Sequence, residues 1–432
     1  MIPRLLSLGV TLWLILASWT WAEDWPRWRG VRGDGTWHGP KLPDQWPAQG
    51  LRKKWSRPIG GGYAGIAVVA GRVFMMDRIP GRQPEAPETD GLERILCLDA
   101  ETGTQLWCHS YVTQYGDLGG YANGPRAMPT VHEGRVYTLG AVGQVCCLDT
   151  NDGKLLWAKD MVKEFQAKVP IWGYAASPVI DGERVLIHVG AEPNGCLMAL
   201  DRLSGQEIWR SGSDPAGYCT PLVIDTPSGR QIILWTPEHI HGLESSTGKA
   251  LWRVPYKVTN GVAIATPIFQ EGMIFVSGYW EGSKWIALGA GPTDAKLVRE
   301  ERRLCGLMAQ PLYRAGHVYL LDKKSGLVCF ELKTGQRIWE DHRLTAKGRN
   351  PHASIVWTGE GDRVVLLNAE GELILARLNP QGYQEQSRTK LLKQAVWGHP
   401  AFAGNCIYVR SDGAEEAVRS GPHEIACFVL AE

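Results

Sequence analysis

The sequence predicts an all-β chain folded as an eight-bladed β-propeller with four-stranded blades, its N-terminal strand closing the last blade. Three observations carry that expectation. A short segment ending in Trp recurs along the chain, and a Pro-containing apolar pattern precedes each copy. The chain also holds 19 tryptophans, which a soluble fold must bury in some regular way.

The Trp-ended segments are CLDAETGTQLW to Trp107, CLDTNDGKLLW to Trp157, ALDRLSGQEIW to Trp209, GLESSTGKALW to Trp252 and CFELKTGQRIW to Trp339. Their spacing of roughly 40–50 residues is that of a four-stranded blade. Upstream lie AMPTVHEGRVYTLG, ASPVIDGERVLIHVG, ATPIFQEGMIFVSG and AQPLYRAGHVYLLD, each an apolar run, a tight turn and a β-branched run. Eight such copies start near Ala64, Ala127, Ala176, Thr220, Thr266, Gln310, Ser354 and His399. Four short alternating runs per copy mean strands rather than helices. Thr102-Gly103, Asp152-Gly153, Ser204-Gly205, Thr247-Gly248 and Thr334-Gly335 supply the turn chemistry of a hairpin, Gly taking the positive φ. Each Trp is expected to pack on the neighbouring blade, because one blade cannot bury its own faces. Two outer strands, near Leu297 and Gly382, have lost the Trp. The last copy ends after its third strand, whereas LRKKW reaches Trp55 without a blade of its own. The N-terminal segment should therefore complete the final blade.

Length alone would suggest two or three domains, but a repeat overrides that prior. Charged residues are 21% and the formal net charge is +1, with no block of like charges. Nothing in that balance predicts a nucleic-acid or anionic-lipid partner. Met1 to Arg4 and the apolar run Leu5 to Ala17, followed by Thr20 and Ala22, read as a signal peptide over residues 1–22 cleaved before Glu23. A retained anchor is the alternative, disfavoured because the run is short of the ~20 residues of a span. No integral membrane segment is expected after cleavage, and the location is exported, periplasmic or extracellular. The first cysteine is Cys97, so an N-terminal lipid-modified cysteine is not expected. Residues 23–50 read as a leader segment and 51–432 as the propeller. Of ten cysteines, Cys97, Cys147, Cys329 and Cys427 occupy one slot in four repeats, which suits small buried hydrophobes better than disulfides.

The x-Leu-Asp-x-x-Thr-Gly-x-x-x-Trp repeat resembles the tryptophan-docking motif of pyrroloquinoline-quinone (PQQ) dehydrogenase-like propellers. That family includes PQQ alcohol dehydrogenases and the non-catalytic propeller lipoprotein of the outer-membrane β-barrel assembly machinery. The resemblance covers residues 24–432, with DWPRWRGVRGDG similar to the leader of secreted members. It implies the fold; for activity it is almost silent.

First-to-second and third-to-fourth turns are short, so the longer second-to-third and fourth-to-first connections share one face. The long ones are Arg78 to Glu93, Tyr111 to Arg126, Asp160 to Ala175 and Ser411 to His423, and long loops are where binding concentrates. On this face each approach to an inner strand carries Gly beside an aromatic or polar residue. Tyr63, Arg126, Trp172, Tyr174, Tyr218, Asn260, His352 and His399 are expected to ring the channel mouth as a binding site. The competing reading has Gly permitting the bend and the aromatics plugging the channel.

Candidate chemistry is sparse. The family resemblance gives Cys146-Cys147 a possible role against a quinone, but strand neighbours point to opposite faces. No calcium-binding or catalytic carboxylate motif is recognisable. His239-x-His241 places two imidazoles on one face of a strand, yet no third ligand can be named and a solvated turn is the simpler reading; no metal is expected. Asp34 in Arg32-Gly33-Asp34 reads as a turn residue. The sequence thus argues for an exported non-catalytic scaffold, without a cofactor, that binds a protein, peptide or glycan on its long-loop face. The alternative is a PQQ-dependent oxidoreductase requiring calcium.

Overall fold

The structure, a computed structural model, describes residues 22–81, 90–116, 118–121, 124–345, 351–359, 361–411 and 423–431. The expected signal peptide, residues 1–22, lies outside them except for Ala22.

Eight four-stranded antiparallel sheets follow one another around a ring. Blades 1 to 7 each use four consecutive strands, beginning at Ala67, Thr130, Val179, Leu222, Ile268, Leu312 and Ala353. Blade 8 is built from Ala401–Ala403, Cys406–Arg410 and His423–Val429, and its outer strand is β1, Lys53–Ile59. Trp55 pairs with Cys427 and Ile59 with His423, so the ring is closed by the N-terminal strand as the sequence requires.

The joints between blades explain the repeat. Each outer-strand Trp faces the small-residue slot of the third strand across a β-bulge: Trp107 against Cys97, Trp157 against Cys147, Trp209 against Ala199 and Trp252 against Gly242. A Cβ on Gly242 would stand 2.1 Å from the Trp252 ring, so small size at this slot is a packing demand. The indole then crosses to the next blade. Trp55, Trp107 and Trp157 donate from Nε1 to the turn carbonyls of Ala100, Thr150 and Arg202, at 3.0, 3.0 and 3.1 Å. The glycine of that turn lies beneath the ring. Gly153 has φ +73°, and a Cβ there would meet Trp107 at 2.6 Å, so two independent constraints select it.

The two copies without Trp have separate explanations. In blade 5 the Trp has moved to the facing slot: Trp285 pairs with Arg299, whose guanidinium lies 5.4 Å from the Trp285 ring and donates to Thr334 O of blade 6 at 2.8 Å. In blade 7 the position is Ser387, opposite Leu375. Its neighbour, blade 8, takes its outer strand from β1 and has no third-to-fourth turn for an indole to cover. The Ser387 hydroxyl instead accepts the Trp46 N–H at 2.9 Å, and the Trp46 side chain is buried.

Residues 23–38 form a plug in the central channel. Trp25 makes a two-way backbone bridge to Val68 of blade 1 at 2.9 and 3.0 Å. Trp37 N–H donates to Trp357 O of blade 7 at 2.8 Å, Arg29 to Pro311 O of blade 6 at 2.8 Å, and Pro26 O accepts from Val131 N of blade 2 at 2.8 Å. Trp25 and Trp37 are fully buried against Phe402, their rings 5.4 and 5.0 Å from it. The two legs are cinched by Arg32, which grips Glu23 with bonds of 2.6 and 2.8 Å. The segment enters on the short-turn face, beside Ala70, and its tip at Trp28 points toward the mouth.

The long connections are shorter than expected. The second and third strands of blade 1 continue through Arg78–Glu93, Ile79–Leu92 and Pro80–Gly91 pairs, leaving only 82–89 outside the described residues. The blade 1 outer strand runs on to Gln114, and Met161–Phe165 is a short helix capped by Asp160. Of Ser411 to His423, residues 412–422 lie outside the described residues.

Candidate functional site at the channel mouth

A cavity of about 770 Å³ opens at the mouth face, and its lining includes Tyr63, Arg126, Trp172, Tyr218, His352 and His399. Those six of the eight expected residues are brought together. Trp28, at the tip of the plug, also lines it and donates to the Thr266 hydroxyl at 3.0 Å; its ring meets His399 edge-on at 5.1 Å. The N-terminal segment therefore turns an open channel into a cup.

Tyr174 and Asn260 are not part of it. Gly173 has φ +75°, and this left-handed residue sends the flanking rings to opposite sides. Trp172 faces the cavity, whereas Tyr174 is fully buried between blades and donates to Val189 O at 2.9 Å. Asn260 is the left-handed apex of an exposed turn at Thr259–Gly261, and Val262 and Ile264 line the cavity in its place.

The cup has three aromatic groups. Trp397 lies 6.0 Å from both Tyr63 and Tyr121. Trp172 and Tyr218 rings are 5.9 Å apart, and Trp172 N–H donates to the Tyr218 hydroxyl at 3.3 Å. Tyr279 and Trp280 meet edge-on at 4.5 Å, with the Lys323 ammonium 4.3 Å from the Tyr279 ring. Arg126 lies 5.5 Å from the Tyr63 ring and is held by the carbonyls of Gly124 and Tyr121. Burial lowers its pKa, and burial pushes those of His352 and His399 down to about 4, leaving both imidazoles neutral near pH 7. The sequence pointed to neither Trp28, nor Tyr279-Trp280, nor Lys323. Tyr279-Trp280 sits in a short second-to-third connection, on the face where only long connections had drawn notice.

No Asp or Glu is among the described residues lining the cup. Nor is a Cys among those described residues. Cys146 and Cys147 are buried in different cores on opposite faces of their strand.

A family model described as outer membrane protein assembly factor BamB matches residues 91–341. The chain belongs to this family. BamB of Moranella endobia is 22% identical over 344 residues, covering 74% of this chain and 79% of its own length. BamB of Yersinia pestis is 23% identical over 348 residues, covering 77% and 79%. The crystal structure of BamB from Moraxella catarrhalis superposes with TM-score 0.59 at 18% identity, covering 88% of this chain and 98% of that one. A europium-containing methanol dehydrogenase gives TM-score 0.69 at 13% identity, covering 94% and 98%. At such identities the structural likeness is one of fold.

The fold is thus shared by BamB proteins and by quinone dehydrogenases. A calcium-bound quinone needs oxygen ligands for the hard cation, and the described cup lining offers no carboxylate. Its donor set does not fit that cofactor, and no chemistry is derived through it.

His239 and His241 depart from the expectation of a solvated turn. Both belong to the third strand of blade 4, His239–Glu244, and both face Asp214, which sequence spacing could not reveal. No helix among the described residues is long and apolar enough to cross a membrane.

Proposed function

We propose that this chain is an exported, non-catalytic protein-binding propeller that assists outer-membrane protein assembly, as its BamB relatives are named for doing. The observation that carries this reading is the cup: aromatic faces and two cationic side chains surround about 770 Å³, with no carboxylate or thiol in the described lining. Such a surface buries apolar or aromatic side chains and accepts an acidic or C-terminal carboxylate, and its described lining sets no carboxylate or thiol against them. A peptide segment of a partner protein fits that chemistry, and the location proposed with it is periplasmic, where such a partner would be met.

The test is a titration of the mature chain with a panel of aromatic-rich peptides from outer-membrane β-barrel strands, beside soluble glycans and PQQ with calcium. Saturable peptide binding that Trp172→Ala and Tyr218→Ala each weaken supports the reading. Alcohol-dependent dye reduction with PQQ and calcium, or binding confined to glycans, would overturn it.

A further inference from the structure

On the mouth face between blades 3 and 4, three side chains from one connection and one strand converge. Asp214 lies in the segment leading from blade 3 into blade 4, and His239 and His241 lie on the third strand of blade 4. His239 Nδ1 is 2.9 Å and His241 Nε2 2.8 Å from the same Asp214 oxygen, Oδ2. One ligand atom from each of the three lies within 4.8 Å of the others. We propose that Asp214, His239 and His241 form a binding site for a divalent first-row transition metal of the zinc class.

The donor set is the first argument. Two imidazoles and one carboxylate match the N and O preference of Zn²⁺. Donors around a tetrahedral ion with bonds of ~2.0–2.1 Å stand about 3.3 Å apart. The observed contacts are a few tenths of an ångström tighter, so small rotations of the two rings admit an ion.

Rigidity is the second. His239 and His241 are alternate residues of a paired strand, opposite Pro255 and Arg253, so both rings project from one face. The Thr236 hydroxyl donates to Asp214 Oδ2 at 2.6 Å and accepts the His239 N–H at 2.9 Å, orienting the carboxylate as metal sites require.

Access is the third. The side chains of Asp214, His239 and His241 keep 13, 24 and 10% of their surface in solvent, enough for an ion to enter and for a fourth position to stay open to water or to a partner's side chain. His188 is not a ligand: Nδ1 donates to Cys219 O at 3.1 Å while Nε2 accepts the Gly217 N–H at 3.3 Å. Bound metal would tie the third-strand hairpin of blade 4 to the segment that leads to Tyr218 on the wall of the cup.

The experiment uses the mature chain after chelator treatment and dialysis, titrated calorimetrically with zinc chloride. Thermal unfolding is followed with and without the ion, and cobalt is substituted as a spectroscopic probe. One equivalent of saturable Zn²⁺ binding, a raised Tm and visible d–d bands with Co²⁺ are expected. Asp214→Asn and His241→Gln should each weaken binding on the order of 100-fold or more, with metal-free far-UV circular dichroism unchanged. His239→Gln serves where either fails to fold. Absence of saturable binding by the unmodified chain would show an aspartate that merely hydrogen-bonds two imidazoles. Binding that survives all folded variants would place the metal elsewhere, and either result overturns the site.

Discussion

Where blade 2 meets blade 3, Trp157 lies on Gly205 and donates to Arg202 O at 3.1 Å, and closely related contacts join blade 8 to blade 1 and blade 1 to blade 2. Toward the axis the side chains differ from blade to blade: Trp28 comes from the plug, Trp172 from blade 3's approach, Tyr279 from a hairpin in blade 5 and Trp397 from the approach to blade 8. The Trp joint is one solution used many times, an uncharged indole on the turn of the next blade. The mouth is assembled once, from single residues of distant segments, and it contains buried groups that titrate. Stability is thus concentrated in the joints, and both specificity and pH sensitivity in the mouth.

The joint should show the largest loss. Trp157→Ala removes a buried indole together with its bond, and is expected to cost ~3–5 kcal/mol, seen as a lower urea midpoint in equilibrium unfolding. The mouth should respond first to acid. Burial holds the folded-state pKa of His352 and His399 in the cup, and of His188 behind it, near 4, below the usual 6.5 of an imidazole. Because the unfolded chain then binds more protons, the stability these imidazoles contribute is complete above about pH 6.5. It is lost as pH falls toward 4, on the order of a kcal/mol or more each. Urea titrations from pH 7 to 4 should show that slope, and His399→Phe should flatten it; an unchanged slope would remove His399 from the account.

Turn glycines give a finer comparison. Gly153 and Gly134 share φ +73°, but a Cβ at Gly153 meets Trp107 at 2.6 Å while one at Gly134 meets nothing nearer than 4.0 Å. Gly153→Ala is expected to cost ~2–3 kcal/mol and Gly134→Ala about 1, by thermal unfolding of the two variants side by side. Equal losses would mean that backbone strain alone selects these glycines. The smallest effect separates two indoles. Trp157 Nε1 is hydrogen-bonded whereas the buried Trp209 Nε1 has no partner. Trp157→Phe should therefore cost about 1 kcal/mol more than Trp209→Phe.

The joints were legible because every element of them recurs in order: the small slot, the Thr-Gly turn, the Trp. Repetition exposes a packing rule even where its partner lies in the next blade. Blade closure was legible for the same reason, as a missing strand at one end matched a spare one at the other. The plug was not, since residues 23–38 occur once and their partners, Val68, Val131, Pro311 and Trp357, have no shared pattern. Tyr174 shows a second limit. Whether a ring faces the cup or the core turns on the left-handed conformation of Gly173, and Trp172-Gly173-Tyr174 reads the same either way. Asp214 shows a third, being 25 residues from His239 and fixed beside it only by the path of blade 4.

The clasp between β1 and the strand His423–Val429 carries a consequence for how the molecule is made. Trp55 must wait for Cys427, which follows it by seven blades, and contacts so remote in sequence close slowly. Blades 1 to 7 can assemble in order while β1 and the plug stay unsatisfied. The plug also reaches blades 5 to 7 through Thr266, Pro311 and Trp357, so it completes its contacts only once Trp357 has been made. The nascent ring is therefore an open arc with an exposed apolar lead segment for most of its synthesis, the interval in which a chaperone would find it.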